Sequence, residues 1–233
     1  MEPRLIVPGV CLSGSVRLPP EEERHIFSAL RMRAGDRLIL CDGNGWEALC
    51  VCTANHEATV LETFVSQGEP DVPVHLYPSL AKGERFAWML QKAAELGAVS
   101  VTPVLSRRCV SGLPSAEKRT RYQRILRSAA EQSGRGYVPE LRSVLSFQEA
   151  VNAARGLRLF CYEEERTVTL KTALRGQATE ISVLTGPEGG YAPEEAALAA
   201  QNGWRPVSLG NTVLRCETAP LMVLSAVRLI YMR

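Results

Sequence analysis

The chain has 233 residues, a formal net charge of +2 and a hydrophobic content of 45%, which are ordinary values for a globular protein with a sizeable core. Its mean hydropathy is −0.05, and charged residues interrupt each apolar stretch well before the roughly 18 residues that a membrane span needs. The first residues include an acid and a proline and lack the apolar segment of a signal peptide, so a membrane-spanning or exported protein is not predicted.

The seven cysteines bear on location and on metal binding. Their number is odd and no Cys-x-x-Cys spacing recurs, so neither a disulfide framework nor a zinc site is predicted. Reduced thiols are typical of cytoplasmic proteins, and we therefore expect a cytoplasmic protein without a bound metal.

The first seventy residues are rich in predicted strands and contain one short helix. This helix follows the prolines at positions 19–20 and carries Ile26, Phe27 and Leu30 on its apolar face. Gly35 is the expected stop signal at its C-terminal end.

A hairpin follows the short helix. Residues 37–41 and 46–53 are the predicted strands, and Asp42-Gly43-Asn44-Gly45 is the predicted turn between them. Residues 58–65 predict a further strand, and residues 67–71 are the expected linker. Several short strands with a single helix favour a small barrel.

From residue 72 onward, predicted strands alternate with predicted helices, a pattern typical of a layered α/β domain. The predicted strands are residues 74–77, 99–105, 157–161, 181–184 and 206–209. The predicted helices are residues 86–96, 115–133, 146–154 and 218–232. Gly97 ends the first of these helices, and Ser146 with Glu149 matches a capping box at the start of the third. Physical rules alone favour an unknotted Rossmann-like sheet, because knots are very rare.

Basic residues concentrate in segment 106–142, where nine Lys or Arg and three Glu give a net charge of +6. Within its predicted helix, Tyr122 and Ile125 share one face, whereas Arg121 and Arg124 lie on another. Arginines gathered in this way are suited to contact the phosphates of a nucleic acid. They are equally typical of a solvated helix face with internal ion pairs, and the composition leaves both interpretations open.

Two glycine-bearing loops near the C-terminus each stand between a predicted strand and helix-like sequence with acids in its first turn. They are residues 184–191 and residues 208–219. The first loop matches neither the Gly-x-Gly-x-x-Gly dinucleotide fingerprint nor a phosphate-binding P-loop. Ligands of open α/β sheets bind outside the carboxyl ends of the strands, where backbone N–H groups and helix N-termini converge. One such loop alone is an ordinary strand–helix turn, whereas the pair predicts two walls of one pocket for an adenosine, methionine or phosphate group.

With these loops the chain resembles the RsmE family of SPOUT-class, S-adenosylmethionine-dependent methyltransferases, which act on small-subunit (16S) ribosomal RNA. The C-terminal motifs that carry the resemblance are Gly186-Pro187-Glu188-Gly189-Gly190, Leu209-Gly210, Leu214-Arg215 and Glu217-Thr218-Ala219. Earlier motifs are His25-Ile26-Phe27-Ser28-Ala29-Leu30-Arg31, Lys82-Gly83-Glu84-Arg85, Lys92-Ala93-Ala94-Glu95-Leu96-Gly97, Arg107 and Ala130-Glu131-Gln132-Ser133-Gly134-Arg135. Cys216 departs from the family pattern, in which we expect a small hydroxylated residue such as threonine.

The resemblance implies a fold, an activity and partners. The implied fold is α/β, with a small PUA-like RNA-binding β-barrel in residues 1–70 and a SPOUT-type domain with a deep trefoil knot in residues 71–233. The implied reaction is methylation of N3 of a uridine in small-subunit ribosomal RNA, with S-adenosylmethionine as cofactor. In the SPOUT class the C-terminal helix packs between protomers, so a homodimer is expected, with apolar surface from Leu221, Leu224, Leu229 and Ile230.

The resemblance also implies which residues form the sites. The implied cofactor site comprises Leu184, Thr185, Gly186, Glu188, Gly189, Gly190, Leu209, Gly210, Leu214, Thr218 and Ala219. The implied RNA contacts are His25, Arg31, Lys82, Arg85, Arg107, Arg121, Arg124, Gln132, Ser133 and Arg135. The implied catalytic residues are Arg215, Glu217 and Glu188.

The chemistry of the implied reaction suggests a role for each catalytic candidate. N3 of uridine bears a proton at neutral pH, so its methylation needs a base or a cation that stabilises the anionic uracil. Arg215 is the candidate for this cation, and Glu217 and Glu188 are candidates to orient it or to accept the proton. Each acid also has a simpler interpretation, Glu217 as a charge at a helix N-terminus and Glu188 as a loop-bracing hydrogen-bond acceptor. Likewise, a partly buried histidine explains His25, and a plain helix terminus explains residues 132–135.

Three functional hypotheses from different classes remain. The leading one is an RNA methyltransferase, which needs both loops and the basic segment. The second is a non-catalytic RNA-binding protein with a degenerate pocket, which the intact loop sequences argue against. The third is a nucleotide-dependent metabolic enzyme with a Rossmann domain, which the missing glycine fingerprint argues against.

Overall fold

The computed structural model of the protein describes residues 2–231, and the chain divides into two compact units. The first unit contains the residues up to Glu69 together with Ala130–Val138, and the second contains Pro70–Ala129 and the residues from Pro139 onward. The sequence-based boundary placed residues 130–138 in the second domain. In the structure they belong to the first unit, where Tyr137 forms β-bridges with Gly43 and Asn44.

The first unit is built on a five-stranded sheet with the order β1-β3-β4-β5-β2. Its elements are β1 (Arg4–Ile6), β2 (Ser15–Arg17), α1 (Pro20–Arg24) with a π-helical turn (His25–Ala29), β3 (Arg37–Cys41), β4 (Trp46–Cys52) and β5 (Glu57–Val65). β1 runs parallel to β3, and the other pairs are antiparallel. Within the described residues β1 and β2 are not paired with each other, so the predicted small barrel is an open half-barrel.

The short helix of the first unit ends earlier than predicted. Leu30, which was expected on the buried face, is 42% exposed, and Arg31 adopts a left-handed φ of 56°. The N–H of Met32 donates to the carbonyl of Ile26, which closes the helix end around Arg31. The prediction that Gly35 stops this helix is therefore wrong, because a left-handed arginine ends it first.

The second unit is a parallel α/β domain, as the alternating pattern predicted. Its six-stranded sheet has the order β13-β11-β12-β6-β7-β9, and all five strand pairs are parallel. Its strands are β6 (Val74–Pro78), β7 (Ala98–Val101), β8 (Val104–Leu105), β9 (Glu140–Leu141), β10 (Leu145–Ser146), β11 (Leu157–Cys161), β12 (Ile181–Thr185) and β13 (Arg205–Val207). Its helices are α2 (Arg85–Glu95), α3 (Ala116–Ser133), α4 (Phe147–Ala153), α5 (Leu170–Ala173), α6 (Pro193–Gln201) and α7 (Ala219–Tyr231). The last residues of α3 are those that belong to the first unit.

Local sequence signals account for most of these boundaries. Ser146 and Glu149 form the predicted capping box at the start of α4, and Gly97 follows α2 with a φ of 93°. The predicted strand 99–105 is instead divided into β7 and β8, because Pro103 lies between them and has no N–H to donate to a ladder. The predicted end of the last helix at Met232 lies outside the described residues.

Helix α7 is more deeply buried in its own protomer than the dimer hypothesis assumed. Leu221 and Leu224 are 9% and 1% exposed, so they belong to the core of the second unit. Leu229 is 83% exposed and Ile230 is 46% exposed, and only these two of the four expected residues offer apolar surface.

No helix in the part of the chain from residue 2 to residue 231 is long and apolar enough to cross a membrane. Over the same residues, no cluster of three or more His, Cys, Asp or Glu side chains is placed to hold a metal ion.

Candidate active site

A cavity of about 420 Å³ opens in the second unit at the carboxyl ends of β11, β12 and β13. These three strands are neighbours in the sheet, so the loops that follow them meet at one edge. The cavity is lined by Arg85, Cys161, Tyr162, Glu163, Arg166, Gly186, Pro187, Glu188, Gly190, Tyr191, Val207, Ser208, Leu209, Gly210, Asn211, Thr212, Val213, Leu214, Arg215, Cys216 and Ala219. The two glycine-bearing loops thus form two walls of one pocket, as the sequence predicted.

Most of the predicted cofactor residues lie at this cavity. Those that line it are Gly186, Glu188, Gly190, Leu209, Gly210, Leu214 and Ala219. Leu184 and Thr185 are buried within β12, and Gly189 and Thr218 are likewise absent from the lining. These four residues support the walls from behind or beside them.

Two of the glycines that line the cavity occupy positions that favour glycine, each for a different structural reason. Gly190 has a φ of +66°, and a Cβ built on it would lie 2.6 Å from Oε1 of Glu163. A larger residue at this position would require the Glu163 carboxylate to move and would have to adopt a left-handed φ, which glycine takes most readily. Gly210 has a φ of +121°, and a Cβ built on it would have no atom within 4 Å, so its backbone conformation, not crowding by protein atoms, demands glycine.

Glu188 and Arg85 connect the first glycine-bearing loop to the start of α2. Oε1 of Glu188 accepts hydrogen bonds from the N–H of Lys82 at 3.1 Å and from the Arg85 guanidinium at 3.3 Å. Partial burial opposes the ionised form, but these hydrogen bonds and the positive charge of Arg85 hold the pKa of Glu188 below its ordinary value. The loop-bracing interpretation of Glu188 is thus supported by its contacts.

Glu217 lies behind the cavity wall. It is 9% exposed, and its Oε1 is 4.0 Å from Nε of Arg85. Arg85 therefore stands between the carboxylates of both glycine-bearing loops. It was predicted to contact RNA, whereas the structure places it in the cavity lining.

Cys216 takes the position where the family resemblance led us to expect a hydroxyl group. Its Sγ donates to Oε2 of Glu217 at 3.2 Å. Burial, together with the neighbouring Glu217 carboxylate, raises the pKa of the Cys216 thiol to about 12. The thiol thus stays protonated at neutral pH and acts as a hydrogen-bond donor, as a threonine hydroxyl would.

Arg215 is the exposed cation of the second loop. It lines the cavity, and in contrast to Arg85 its guanidinium pairs with no other side chain among residues 2–231. The guanidinium therefore keeps its five N–H donors for a ligand.

The third wall of the cavity was missed by the sequence reasoning. It is the segment after β11, which contributes Tyr162, Glu163 and Arg166. Glu165 orders this segment, because its Oε1 accepts hydrogen bonds from the N–H groups of Thr167 at 2.6 Å and Val168 at 2.9 Å. These hydrogen bonds, led by that of the Thr167 hydroxyl, lower the pKa of Glu165 to about 2. The sequence did contain a signal for this wall. Strand 157–161 was predicted, and the loop after it lies at the same edge of the sheet as the two glycine-bearing loops.

The predicted RNA contacts of the second unit are on its surface, but several are already in ion pairs. Arg121 forms a bidentate salt bridge with Glu84, and the Arg107 guanidinium is 3.3 Å from Glu194. Arg124 and Lys82 are exposed. The basic segment thus contains cations in ion pairs, Arg107 and Arg121, as well as exposed Arg124, and its contact with RNA stays a prediction.

The predicted RNA contacts of the first unit divide into exposed and buried residues. His25, Arg31 and Gln132 are exposed, and the Ser133 hydroxyl donates to the carbonyl of Ala130. Arg135 is 2% exposed and pairs with Glu69 at 2.6 Å, so its side chain is not available to RNA. Its assignment as an RNA contact is corrected: Arg135 holds residues 130–138 in the first unit.

Comparison with known proteins agrees with this arrangement. Residues 68–228 match the family model of an RNA methyltransferase domain, and residues 18–57 match that of an RNA methyltransferase PUA domain. The ribosomal RNA small subunit methyltransferase E of Synechocystis is 35% identical over 232 residues, covering 96% of this chain and 76% of the relative.

Two solved structures are similar over nearly the whole chain. One is a ribosomal RNA small subunit methyltransferase E from Neisseria gonorrhoeae bound to S-adenosyl methionine, with a TM-score of 0.91, 32% identity and coverage of 99% and 98%. The other, from Legionella pneumophila and in complex with the bound cofactor SAM, has a TM-score of 0.88, 30% identity and coverage of 99% and 98%. The chain thus belongs to the family of ribosomal RNA small subunit methyltransferase E.

Proposed function

We propose that the protein is an S-adenosylmethionine-dependent methyltransferase that modifies N3 of a uridine in small-subunit ribosomal RNA. The observation that carries this proposal is the cavity at the ends of β11, β12 and β13, with unpaired Arg215 in its lining. The family membership supports the choice of cofactor and RNA class, because the relatives are ribosomal RNA small subunit methyltransferases and one of them is bound to S-adenosyl methionine.

The residues present fit S-adenosylmethionine. The cavity volume of about 420 Å³ lies within the range of ligand pockets. Apolar Leu209, Leu214 and Val207 alternate in its lining with glycine backbone, and the cations Arg166 and Arg215 suit a carboxylate. When bound, S-adenosylmethionine would supply the electrophilic methyl group of its sulfonium.

The proposed roles follow from the contacts of each side chain. Arg215 would stabilise the negative charge that develops on uracil as N3 loses its proton. Arg85, Glu188 and Glu217 would hold the two glycine-bearing loops in register, since Arg85 is 3.3 Å from one carboxylate and 4.0 Å from the other. Tyr191 is buried beside Phe147 and Phe160 and forms a dry floor for the cavity.

Two measurements on the purified protein test this proposal. Calorimetric titration with S-adenosylmethionine should show binding, and incubation with small-subunit RNA should add one methyl group to N3 of a uridine, located by mass spectrometry of nuclease fragments. Binding of RNA without binding of S-adenosylmethionine would favour the non-catalytic alternative. Binding of a dinucleotide in place of S-adenosylmethionine would favour the metabolic enzyme.

We also propose a symmetric homodimer that uses the C-terminal part of α7. Met222, Leu229 and Ile230 are 39%, 83% and 46% exposed on this helix, and Val213 of the second loop is 82% exposed. Exposed apolar side chains of this kind are suited to an isologous contact, and Val213 would bring that contact to the cavity lining. Sedimentation velocity at micromolar concentration tests this point, and a fully active monomer would contradict it.

The trefoil knot is part of the same proposal. α7 packs on the central strands β6 and β12, although the strand before it, β13, is at the edge of the sheet. The chain must therefore return from the edge to the centre, as threading past the Gly210 loop requires.

The domain roles and the location complete the proposal. The RNA-binding PUA-like domain predicted for residues 1–70 would also include residues 130–138, and the rest of residues 71–233 would form the methyltransferase domain, with phosphate contacts from exposed cations such as Lys82, Arg107 and Arg124. A ribosomal RNA substrate and seven free cysteines agree with a cytoplasmic location.

A further inference from the structure

Two aromatic side chains are exposed on adjoining segments of the first unit, and no catalytic role uses them. Trp46 is 52% exposed and Tyr137 is 43% exposed. Trp46 begins β4 and is paired in register with Val65 at the end of β5, which is 53% exposed. Tyr137 forms β-bridges with Gly43 and Asn44, in the turn immediately before Trp46. We call Trp46, Val65 and Tyr137 the aromatic patch.

The backbone under the patch is braced by specific contacts. Oδ1 of Asp42 accepts hydrogen bonds from the N–H groups of Asn44 at 2.7 Å and Trp46 at 3.1 Å. Gly45 has a φ of +94°, and the Tyr137 ring occupies the space that a Cβ on Gly45 would need. The turn and the ring therefore fix each other's position.

The segment that presents Tyr137 is clamped as well. The Glu69 carboxylate accepts a hydrogen bond from the N–H of Tyr137 at 3.2 Å and pairs with the buried guanidinium of Arg135. A buried ion pair of this kind contributes more to a defined geometry than to net stability. The backbone that presents the two rings is thus braced, by Asp42 at Trp46 and by Glu69 at Tyr137, while both side chains remain partly exposed.

The charges of the first unit indicate what this patch can bind. By sequence the unit contains seven basic and eleven acidic residues, a net charge of −4. The cations nearest in the same elements are occupied, since Arg4 pairs with Glu47 at 2.6 Å and Arg135 pairs with Glu69. Exposed Arg37 is paired in register with Val51, at the end of the hairpin away from the turn. The patch therefore has little positive charge to offer a phosphate, and what it exposes to a nucleic acid is the face of an aromatic ring.

We infer that the aromatic patch is a stacking platform for unpaired bases of the RNA substrate. This inference rests on the proposed function for the choice of RNA as partner. Stacking on an aromatic ring tolerates any base, because each base has a π-face, but it requires a base that is not paired. The first unit would then recognise single-stranded character in the RNA substrate, while cations elsewhere supply the phosphate contacts.

The test uses the full chain and a 12-nucleotide single-stranded RNA of mixed sequence, with a blunt duplex of that sequence as the comparison. Fluorescence is recorded in a Trp88→Phe background, so that the signal comes from exposed Trp46 and buried Trp204. The single strand should quench this fluorescence and the duplex should not. Measured by filter binding, Trp46→Ala should weaken binding of the single strand by about 5-fold to about 100-fold, and Trp46→Phe should retain most of the affinity.

Leu61→Ala is the matched control, because Leu61 is 52% exposed on β5 of the same sheet but has no aromatic face. It should leave the affinity unchanged. The slope of log affinity against log salt should be the same for Trp46→Ala as for the parent, since the cations that bind phosphates are all retained. A thermal melting curve of each variant confirms that the fold is retained.

Three results would overturn the inference. The first is an unchanged affinity of Trp46→Ala for the single strand, and the second is equal quenching by the duplex. The third is that Trp46→Ala loses affinity for assembled ribosomal subunits but not for the single strand, which would indicate a protein partner. Failure of the proposed function is seen separately, as absence of S-adenosylmethionine binding and of methylation by the parent protein. Quenching by the single strand in such a protein would still support the platform.

Discussion

The two units of the molecule differ in how they are suited to meet an RNA. By sequence, the first unit has seven basic and eleven acidic residues, a net charge of −4, whereas the second has twenty basic and fourteen acidic residues, a net charge of +6. Trp46 and Tyr137 are exposed in the first unit, and cations of α3 and of the cavity are exposed in the second.

This difference separates two components of RNA recognition. Phosphate contacts supply affinity that is independent of sequence and sensitive to salt, and they require free cations. Contacts to bases supply the recognition of unpaired or particular nucleotides. A PUA-like fold alone predicts RNA affinity for the first unit, whereas the net charges predict that the second unit makes most of the salt-dependent contacts.

The largest expected effect concerns Arg215, the cation that the second glycine-bearing loop contributes to the cavity lining. Arg215→Ala should lower the maximal single-turnover methylation rate on the order of 10²-fold to 10³-fold with both substrates saturating, because the variant cannot stabilise the charge of the transition state. Arg215→Lys should keep partial activity, since it retains the charge but not the planar fork. Arg124→Ala is the control at an exposed cation outside the cavity lining. If Arg215→Ala weakens only RNA binding and keeps the maximal rate, Arg215 is a binding residue.

A smaller effect is expected from the cations of α3. Arg121→Ala combined with Arg124→Ala should weaken RNA binding and reduce the log–log salt slope by roughly 0.7 to 0.9 for each phosphate that the variant no longer binds. Saturating RNA should then restore turnover. The contribution of Arg121 should be the lesser one, because its salt bridge with Glu84 must be exchanged for the phosphate. Filter binding across a salt series measures the slope.

The matched variant for this comparison removes two exposed arginines, Arg33 and Arg37, from the first unit. Their replacement by alanine should change the salt slope less than the α3 double variant does. An equal change in both variants would show that the phosphate contacts are shared by the two units.

A modest effect is expected at Arg85, which the sequence assigned to RNA and the structure places between Glu188 and Glu217. Arg85→Ala should weaken S-adenosylmethionine binding by about 2-fold to 5-fold, since a partly exposed ion pair contributes up to about 1 kcal/mol. Its effect on RNA affinity should be smaller than that of Arg124→Ala. Calorimetry gives the first quantity, and a variant with normal cofactor affinity but weak RNA binding would restore the original assignment.

The parts of the fold that follow from local signals could be predicted from the sequence. The capping box of Ser146 and Glu149, the stop at Gly97 and the strand at residues 157–161 each depend on a few adjacent residues. The end of the first helix could not be predicted, because Arg31 adopts a conformation that arginine rarely takes. The split of strand 99–105 was foreseeable from Pro103, because a proline within an apolar run argues against a continuous central strand.

The candidate site likewise has parts that the sequence predicted and parts that it did not. The two glycine-bearing loops were visible as motifs, but the wall after β11 has no motif and becomes part of the cavity only through the strand order. Long-range ion pairs were equally hidden. Arg135 with Glu69, and Arg121 with Glu84, join residues that are distant in sequence, so their basic character alone could not distinguish a structural cation from an available one.

The smallest expected effect concerns a further contrast between the units, the exposure of their histidines. His25 and His56 of the first unit are exposed, whereas the His75 side chain of the second unit is 13% exposed. Its Nδ1 is 2.7 Å from the Ser100 hydroxyl and its Nε2 is 3.0 Å from Glu180.

Burial lowers the pKa of His75 below its ordinary value of 6.5, with Arg142 acting in the same direction and Glu180 and Glu140 opposing it. At a pH between the lowered pKa and about 6.5, His75 binds a proton in the unfolded chain but not in the folded chain. The stability that neutral His75 contributes is therefore fully present above about pH 6.5 and is lost as the pH falls through this range. The melting temperature of His75→Gln should therefore fall less than that of the parent between pH 7 and pH 5, by a few degrees at most. His25→Gln is the control at an exposed histidine and should follow the parent. Parallel curves for the parent and His75→Gln would mean that His75 has the same proton affinity in the folded and unfolded chain.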